Sequence, residues 1–370
     1  MNNQMTNENT QASISTQTMQ ALIYQDIKDV KLVEKEIPEC GPNDVIVRNV
    51  RAGICGTDIT GYLYGGEKVL INKGSEFGHE MVGYVYKKGT NVNDIAVGAR
   101  VFVEPTRCTP NPYNADMAGA FSQFVRVQNA KVNDNLFLLP DSLPYSEAVL
   151  IEPFSVATHG KNTVGAKPGE NVLIIGAGTI GLCALSSLIA QGNRNVAVLD
   201  IDDRRLALAE KMGGTGFNAS KGQEAIVEFL TSHFGTMFNT NHRINMNNGE
   251  MTVEANPVFD IDAVIDCAGR PEYVDLFMKH AKQHARLCCI AVHKEAVPIR
   301  FHEVMSTQCA IMGSRGYDRT DIEEVIENLN NHNSKVTEII SHVFSLEDAE
   351  KAFEIASDPS SAVKVVINLA

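Results

Sequence analysis

The sequence predicts two unlike parts: a mostly β region up to about residue 150, and a doubly wound parallel α/β region beyond it. Three observations carry this prediction. The chain has 370 residues, more than one ordinary hydrophobic core organises. Short β-like runs punctuated by Gly and Pro fill the first part, with no long helical periodicity before Ser146. Strand-like apolar runs then alternate with helix-like segments, the pattern of a parallel sheet covered on both faces.

In chain order, residues 21–24, 30–33 and 45–50 read as strands separated by Pro38, Gly41 and Pro42. Strands at 81–86 and 100–103 follow, with Gly89 and Gly98 between them, and β character continues over 120–127 and 136–139. Residues 171–175 form a continuous apolar run, as in a strand buried on both faces of a parallel sheet. Gly176 to Gly181 then opens an apolar helix reaching about Gln191. A second such strand, 195–200, leads to a helix with Arg204, Leu206, Ala209 and Met212. Further strands are expected at 261–265, 287–292 and 310–312, helices at 321–329 and 346–356, and a closing strand at 362–368. Residues 236–257 are Asn-rich, polar and aperiodic, and are expected to be a surface insertion loop. Residues 1–19 are polar and lack the basic and apolar regions of a secretion signal, so they are expected to be a disordered tail.

Composition narrows the function classes. A net charge of −13 argues against nucleic-acid or anionic-membrane partners, which call for a basic patch. No run of 18 apolar residues is available to span a membrane. Eight Cys lie scattered without a disulfide framework, as in a reduced cytoplasmic protein.

Two stretches carry chemistry. Gly176, Gly178 and Gly181, with Ala177, Thr179 and Ile180 between them, follow a buried strand and open a helix, the context a dinucleotide fingerprint requires. Its glycines permit a tight turn, close approach of a pyrophosphate and close helix–strand packing, and the helix N-terminus offers unpaired N–H groups. Asp200 lies 19 residues after Gly181, at the end of the next strand, where a carboxylate bonds an adenosine ribose and repels a 2′-phosphate. NAD is therefore expected over NADP, with Arg204 and Arg205 as the residues that keep NADP open. The second stretch, Gly53 to Glu80, holds Cys55 and His79 in Gly-flanked segments beside hydroxyls and carboxylates. These are zinc-ligand types, with Asp58 the candidate to orient the ring. Three ligands and one open position would make such a site catalytic, so a third ligand has to come from elsewhere in the chain.

With both motifs in place, the chain resembles the zinc-dependent medium-chain dehydrogenase/reductase family over most of residues 20–370. The segments 53–58, 77–80, 150–155, 176–181 and 341–354 carry the likeness. The resemblance implies a GroES-like catalytic β domain (20–155) with an inserted Rossmann NAD-binding domain (156–305) and a return to the catalytic domain (306–370). It implies Cys55 and His79 as zinc ligands, Glu152 as the third, and Glu80 as a carboxylate that binds the metal or moves in as ligands exchange. Thr57 matches the hydroxyl that takes the substrate proton, and Arg205 a basic residue near the adenosine ribose. Thr60 stands where relatives often carry a relay histidine. The segment 105–119 holds Cys108 alone, so one catalytic zinc and no structural zinc are expected. Glu at 152 moves the likeness toward sorbitol, threonine and 2,3-butanediol dehydrogenases, with Arg315, Tyr62 and Tyr64 as candidate pocket residues. The implied reaction is reversible oxidation of a secondary alcohol, a small-molecule vicinal diol or polyol, to a ketone with NAD, in a homodimer or homotetramer. A zinc-free quinone reductase of the same superfamily, or a non-catalytic NAD-binding protein, are the other readings.

Overall fold

A computed structural model describes residues 17–109, 116–247, 250–332 and 334–370. Most of the expected tail, residues 1–16, lies outside them. The chain starts with β1 (Thr18–Asp26), β2 (Asp29–Glu36) and β3 (Val45–Gly53), then a helix, α1 (Gly56–Tyr64). β4 (Ser75–Glu76), β5 (Glu80–Lys88), β6 (Arg100–Val103), β7 (Phe124–Val127) and β8 (Leu136–Leu138) complete the first β region. The short helix α1 lies within the mostly β region and was not singled out in the sequence. Its two glycines, Gly56 and Gly61, and its length of nine residues leave too little helical period to read in the sequence.

The short α2 (Tyr145–Ala148) and the long α3 (Ile151–Val164) lead into the parallel region. There β9 (Val172–Ile175), α4 (Thr179–Gln191), β10 (Val196–Asp200), α5 (Asp203–Met212) and β11 (Thr215–Asn218) form one βαβαβ half. After α6 (Gln223–Phe234), β12 (Thr236–Asn247) and β13 (Glu250–Phe259), a second half follows: β14 (Ala263–Asp266), α7 (Pro271–His280), β15 (Arg286–Cys289), α8 (Phe301–Thr307) and β16 (Ala310–Gly313). The six strands order as β11-β10-β9-β14-β15-β16, all parallel, so the strand order reverses between β9 and β14. Strands β9 and β14 are wholly buried, which accounts for their unbroken apolar runs.

The C-terminal stretch, α9 (Arg319–Asn330), β17 (Ile340–Ser345), α10 (Ala349–Ser357) and β18 (Lys364–Asn368), returns to the first region. β18 pairs antiparallel with β3, setting Val366 opposite Gly53, and the larger β sheet runs β17-β18-β3-β5-β6-β8 with β7 also on β3. Because β16 belongs to the parallel sheet, the return comes after Gly313 rather than at 306. The strand itself was legible at 310–312, but its membership of the parallel sheet is set by pairing with β15, which no local pattern records.

The segment expected as a loop, 236–257, is instead a long antiparallel hairpin, β12 against β13, with Ile244 opposite Val253 and Arg243 opposite Glu254. It pairs with no other strand, so β13 is exposed over most of its length and has no apolar face to announce it. The dipeptide Asn248-Gly249 between its strands was the available sequence signal. One core cluster joins α3, α4, β9, β14 and the first region through Phe102, Phe154 and Val366, while a second fills the β region around Phe77, Phe121 and Phe353. The site lies where these two cores meet.

Candidate active site and cofactor cleft

A cavity of about 500 Å³ opens between the two regions, lined by Cys55, Thr57, His79, Glu80 and Glu152 on one side and Thr179 and Ile180 on the other. Local structure delivers each group. Cys55 precedes the first turn of α1, and Asp58 accepts its backbone N–H at 2.8 Å, fixing the entry into the helix. His79 immediately precedes β5, Glu80 opens it, and Glu152 sits in the first turn of α3. One ligand atom each from Cys55, His79 and Glu80 lie within 4.8 Å of one another. Glu152 lines the same cavity without joining that tight cluster.

The orientation of the imidazole differs from expectation. Asp116 Oδ1 lies 3.1 Å from His79 Nδ1, whereas Asp58 Oδ1 is 4.0 Å away. Asp58 gives its other oxygen to the Cys55 amide, so Asp116 is the carboxylate nearer His79 Nδ1, which itself makes no hydrogen bond. No sequence pattern marked Asp116, which sits in a short 3-10 turn.

Lys364 is the larger omission. It is 2% exposed, its Nζ contacts Glu80 Oε2, and it donates to the Ile54 carbonyl at 3.0 Å. Gly53 makes room for this pair: a Cβ there would sit 2.0 Å from Glu80 Oε2 and 2.9 Å from Lys364 Cε. Burial works against the Lys364 charge, but Glu80 and Cys55 raise its pKa.

Burial governs the other ionisable groups. It pushes the Asp58 carboxyl up to about 7, with His79 pulling the other way. It also raises Glu152, against His79 and together with Glu80. His79 moves well above its ordinary value: burial opposes this, and Cys55, Asp116 and Asp58 outweigh it. Burial and the carboxylates of Glu152, Glu104 and Glu80 hold the Tyr317 phenol neutral. Four buried carboxyls, Asp58, Glu80, Glu104 and Glu152, thus outnumber the buried cations His79 and Lys364 together with Arg315, which also lines the cavity. The site is short of positive charge, and buried Oε2 of Glu104 and Oδ1 of Asp58 lack hydrogen-bond partners. Thiol, imidazole and carboxylate donors around that deficit fit a zinc ion.

Across the cavity, the glycine turn is built as the fingerprint requires. A Cβ on Gly181 would meet the Gly176 carbonyl at 1.8 Å, so helix and turn touch only because the residue is glycine. No side chain caps α4, and Thr179 Oγ1 donates away to the Val363 carbonyl at 2.9 Å. The first-turn amides are left for an anion. Asp200 accepts from Ala177 N at 2.6 Å with one oxygen and from Ile201 N and Asp202 N at 2.8 and 2.9 Å with the other. These bonds fix its carboxylate beside the turn with capacity for a further donor. The residues fit a dinucleotide.

Of the two basic residues near it, Arg204 is committed to Asp202, whereas Arg205 bonds through one terminal nitrogen and leaves its buried Nε without a hydrogen-bond partner. Arg204 forks onto Asp202 at 3.1 and 2.6 Å, and Arg205 donates to the Pro359 and Ala362 carbonyls at 2.9 and 3.3 Å. Among the remaining candidates, Arg315 lines the cavity and is joined there by Tyr317, Glu104 and Lys364. Tyr62 does not: it is buried against Phe353, and Tyr64 is 61% exposed. Thr60 donates back to the Gly56 carbonyl at 2.9 Å. Burial pushes the Cys108 thiol up to about 12, and its Sγ lies 3.3 Å from the Pro105 carbonyl.

Comparison with known proteins gives two family matches. Residues 41–141 match the alcohol dehydrogenase GroES-like domain, and residues 179–331 match the zinc-binding dehydrogenase domain. The chain is similar to the sorbitol dehydrogenase of Bacillus subtilis, 27% identical over 359 residues that span 92% of this chain and 94% of that protein. To the (R,R)-butanediol dehydrogenase of the same organism it is 30% identical over 232 residues, 57% of this chain and 66% of that one. The crystal structure of 2R,3R-butanediol dehydrogenase from Bacillus subtilis shares the fold, with a TM-score of 0.79 at 21% identity over 95% of this chain and 100% of that one.

Proposed function

We propose, for a chain that belongs to the zinc-dependent medium-chain dehydrogenase/reductase family, that it reversibly oxidises a vicinal diol or polyol to a ketone with NAD. The observation that carries this is the convergence of Cys55, His79 and Glu80 donors beside Thr57, on one wall of a cavity whose other wall is the glycine turn. Cys55, His79 and Glu80 would hold the zinc, with Glu152 beside them. When bound, the metal would supply Lewis-acid polarisation of the substrate hydroxyl and the nicotinamide would take up the hydride.

The chain's own residues do the rest. Thr57 Oγ1, 3.8 Å from Cys55 Sγ, is placed to receive the substrate proton at the metal-site wall. Lys364 sets a cation against the Glu80 carboxyl, and Asp116 is the carboxylate nearest His79 Nδ1. Gly176, Gly178, Thr179, Ile180 and Gly181 cradle the pyrophosphate, Asp200 takes the adenosine ribose, and Arg205 braces the turn against the C-terminal segment. NAD is supported over NADP because Asp200 is fixed by three amides beside the turn and Arg204 is taken up by Asp202. A polyhydroxy substrate is supported by the names of the relatives and by a cavity lined with Glu104, Thr106, Arg315 and Tyr317.

The same reading includes assembly into a homodimer or homotetramer in the cytoplasm. The open edge of β16, with Ile311 36% exposed, supports pairing between copies. All eight cysteines are free, in keeping with a reducing compartment. Among the described residues, no helix is long and apolar enough to cross a membrane.

The test is NADH production by the zinc-loaded protein on a panel of 2,3-butanediol stereoisomers, sorbitol, threonine, glycerol, 2-propanol and ethanol. Preference for one diol or polyol, abolished by Cys55→Ala, is the expected result. Silence across the panel with metal and NADH both bound would overturn the substrate class.

A further inference from the structure

Asp266 and His293 form a bond that the chemistry above does not use. Asp266 ends β14, is wholly buried, and accepts from Ala268 N and Gly269 N with Oδ1, each at 2.9 Å. Its Oδ2 lies 2.8 Å from His293 Nε2. A carboxylate so placed takes the Nε2–H and fixes the tautomer, leaving the Nδ1 lone pair as an acceptor. That Nδ1 is buried and has no partner, an acceptor in want of a donor. Cys289 has its Sγ within 4.8 Å of the pair, but burial and then Asp266 push its thiol up to about 11, so it stays neutral.

The internal repeat of the parallel sheet says where this acceptor lies. β9-α4-β10-α5-β11 and β14-α7-β15-α8-β16 are equivalent halves about the reversal between β9 and β14, and each half takes one nucleoside of a dinucleotide. In the first half, Asp200 at the end of β10 reaches back to the turn after β9 through Ala177 N. In the second half, His293, just past β15, reaches back to the turn after β14 through Asp266. The second ribose therefore falls at the ends of β14 and β15, and a ribose hydroxyl is the donor that Nδ1 lacks.

We propose that His293, held by Asp266, is a cofactor-binding residue that accepts a hydrogen bond from a ribose hydroxyl in the nicotinamide half of NAD. The proposal rests on the NAD reading above and extends it to a contact in the second half of the sheet. ADP ends before that ribose and ADP-ribose contains it, so the ratio of their affinities isolates the contact.

Titration calorimetry of wild type, His293→Phe and His293→Asn with ADP, ADP-ribose and NADH, with melting curves alongside, is the experiment. His293→Phe should leave ADP affinity unchanged and weaken ADP-ribose and NADH by about 3- to 10-fold, the worth of one hydrogen bond. His293→Asn, which keeps a donor for Asp266 and an acceptor, should recover part of the loss. Unchanged ADP-ribose affinity in His293→Phe would overturn the proposal. So would a parallel loss of ADP and ADP-ribose, which would make the dyad a loop clasp only. A wild-type protein that binds neither ADP nor NADH would fail the NAD reading itself.

Discussion

Replacing Lys364 by Met is the perturbation with the most legible cost. The side chain is 2% exposed, and it is the cation in contact with Glu80, itself 1% exposed. Exposed ion pairs contribute about 0–1 kcal/mol, but removing one partner of a buried pair strands the other charge and costs roughly 3–5 kcal/mol. In the metal-free protein, Lys364→Met should therefore lose about 3–5 kcal/mol in equilibrium urea unfolding followed by circular dichroism. A divalent ion beside Glu80 supplies the missing charge, so saturating zinc should recover more than half of the loss. The double variant Glu80→Gln/Lys364→Met, with neither charge, should return to within roughly 1–2 kcal/mol of wild type. A loss below about 1 kcal/mol, or one equally large when Glu80 is already neutral, would refute the reasoning.

Three further outcomes follow from named contacts. Asp200→Ala should raise the NADPH-to-NADH affinity ratio by about 10- to 100-fold, because a bond to a charged group is lost and a repulsion removed; an unchanged ratio in fluorescence titrations counts against Asp200 as the discriminator. Shortening the hairpin by removing residues 242–255 should leave NADH affinity and zinc content within about twofold, since β12 and β13 pair only with each other. His280 is held below its ordinary 6.5 by burial, stacked on Phe259 at 4.4 Å with Nδ1 on the Pro257 carbonyl at 2.8 Å. As pH falls through 6.5 the unfolded chain gains a proton that the folded ring refuses, so stability drops until the folded ring also protonates. His280→Phe should flatten the fall in Tm between about pH 7 and 5.5, and equal slopes in the two proteins would contradict this.

What could be read in the sequence was whatever a local pattern determines. The strands at 172–175 and 263–266 are buried on both faces and announce themselves as apolar runs. Gly181 is required by backbone contact with Gly176, only five residues away, and Asp200 by the turn it closes. Cys55 and His79 stood out because thiol and imidazole sit in Gly-flanked segments. What stayed hidden depends on distant chain segments meeting. Lys364 reaches Glu80 only because β18 pairs with β3, and in sequence it reads as one polar residue in a closing strand. Asp116 meets His79 from a short 3-10 turn 37 residues further along the chain, too short to show a period. The hairpin at 236–259 has solvent around most of β13, so hydrophobic alternation never developed there. Tyr62, adjacent to the Cys55 segment in sequence, is turned into the core by α1.

The most direct test of the central claim is a zinc titration of the chelator-treated protein, reading bound metal by elemental analysis and NADH production on 2,3-butanediol or sorbitol together. Turnover that rises to a plateau at one zinc per chain, with both metal and turnover lost in Cys55→Ala and His79→Ala, is the result this account predicts. Turnover that survives complete removal of zinc, or full metal binding in both variants, would contradict it.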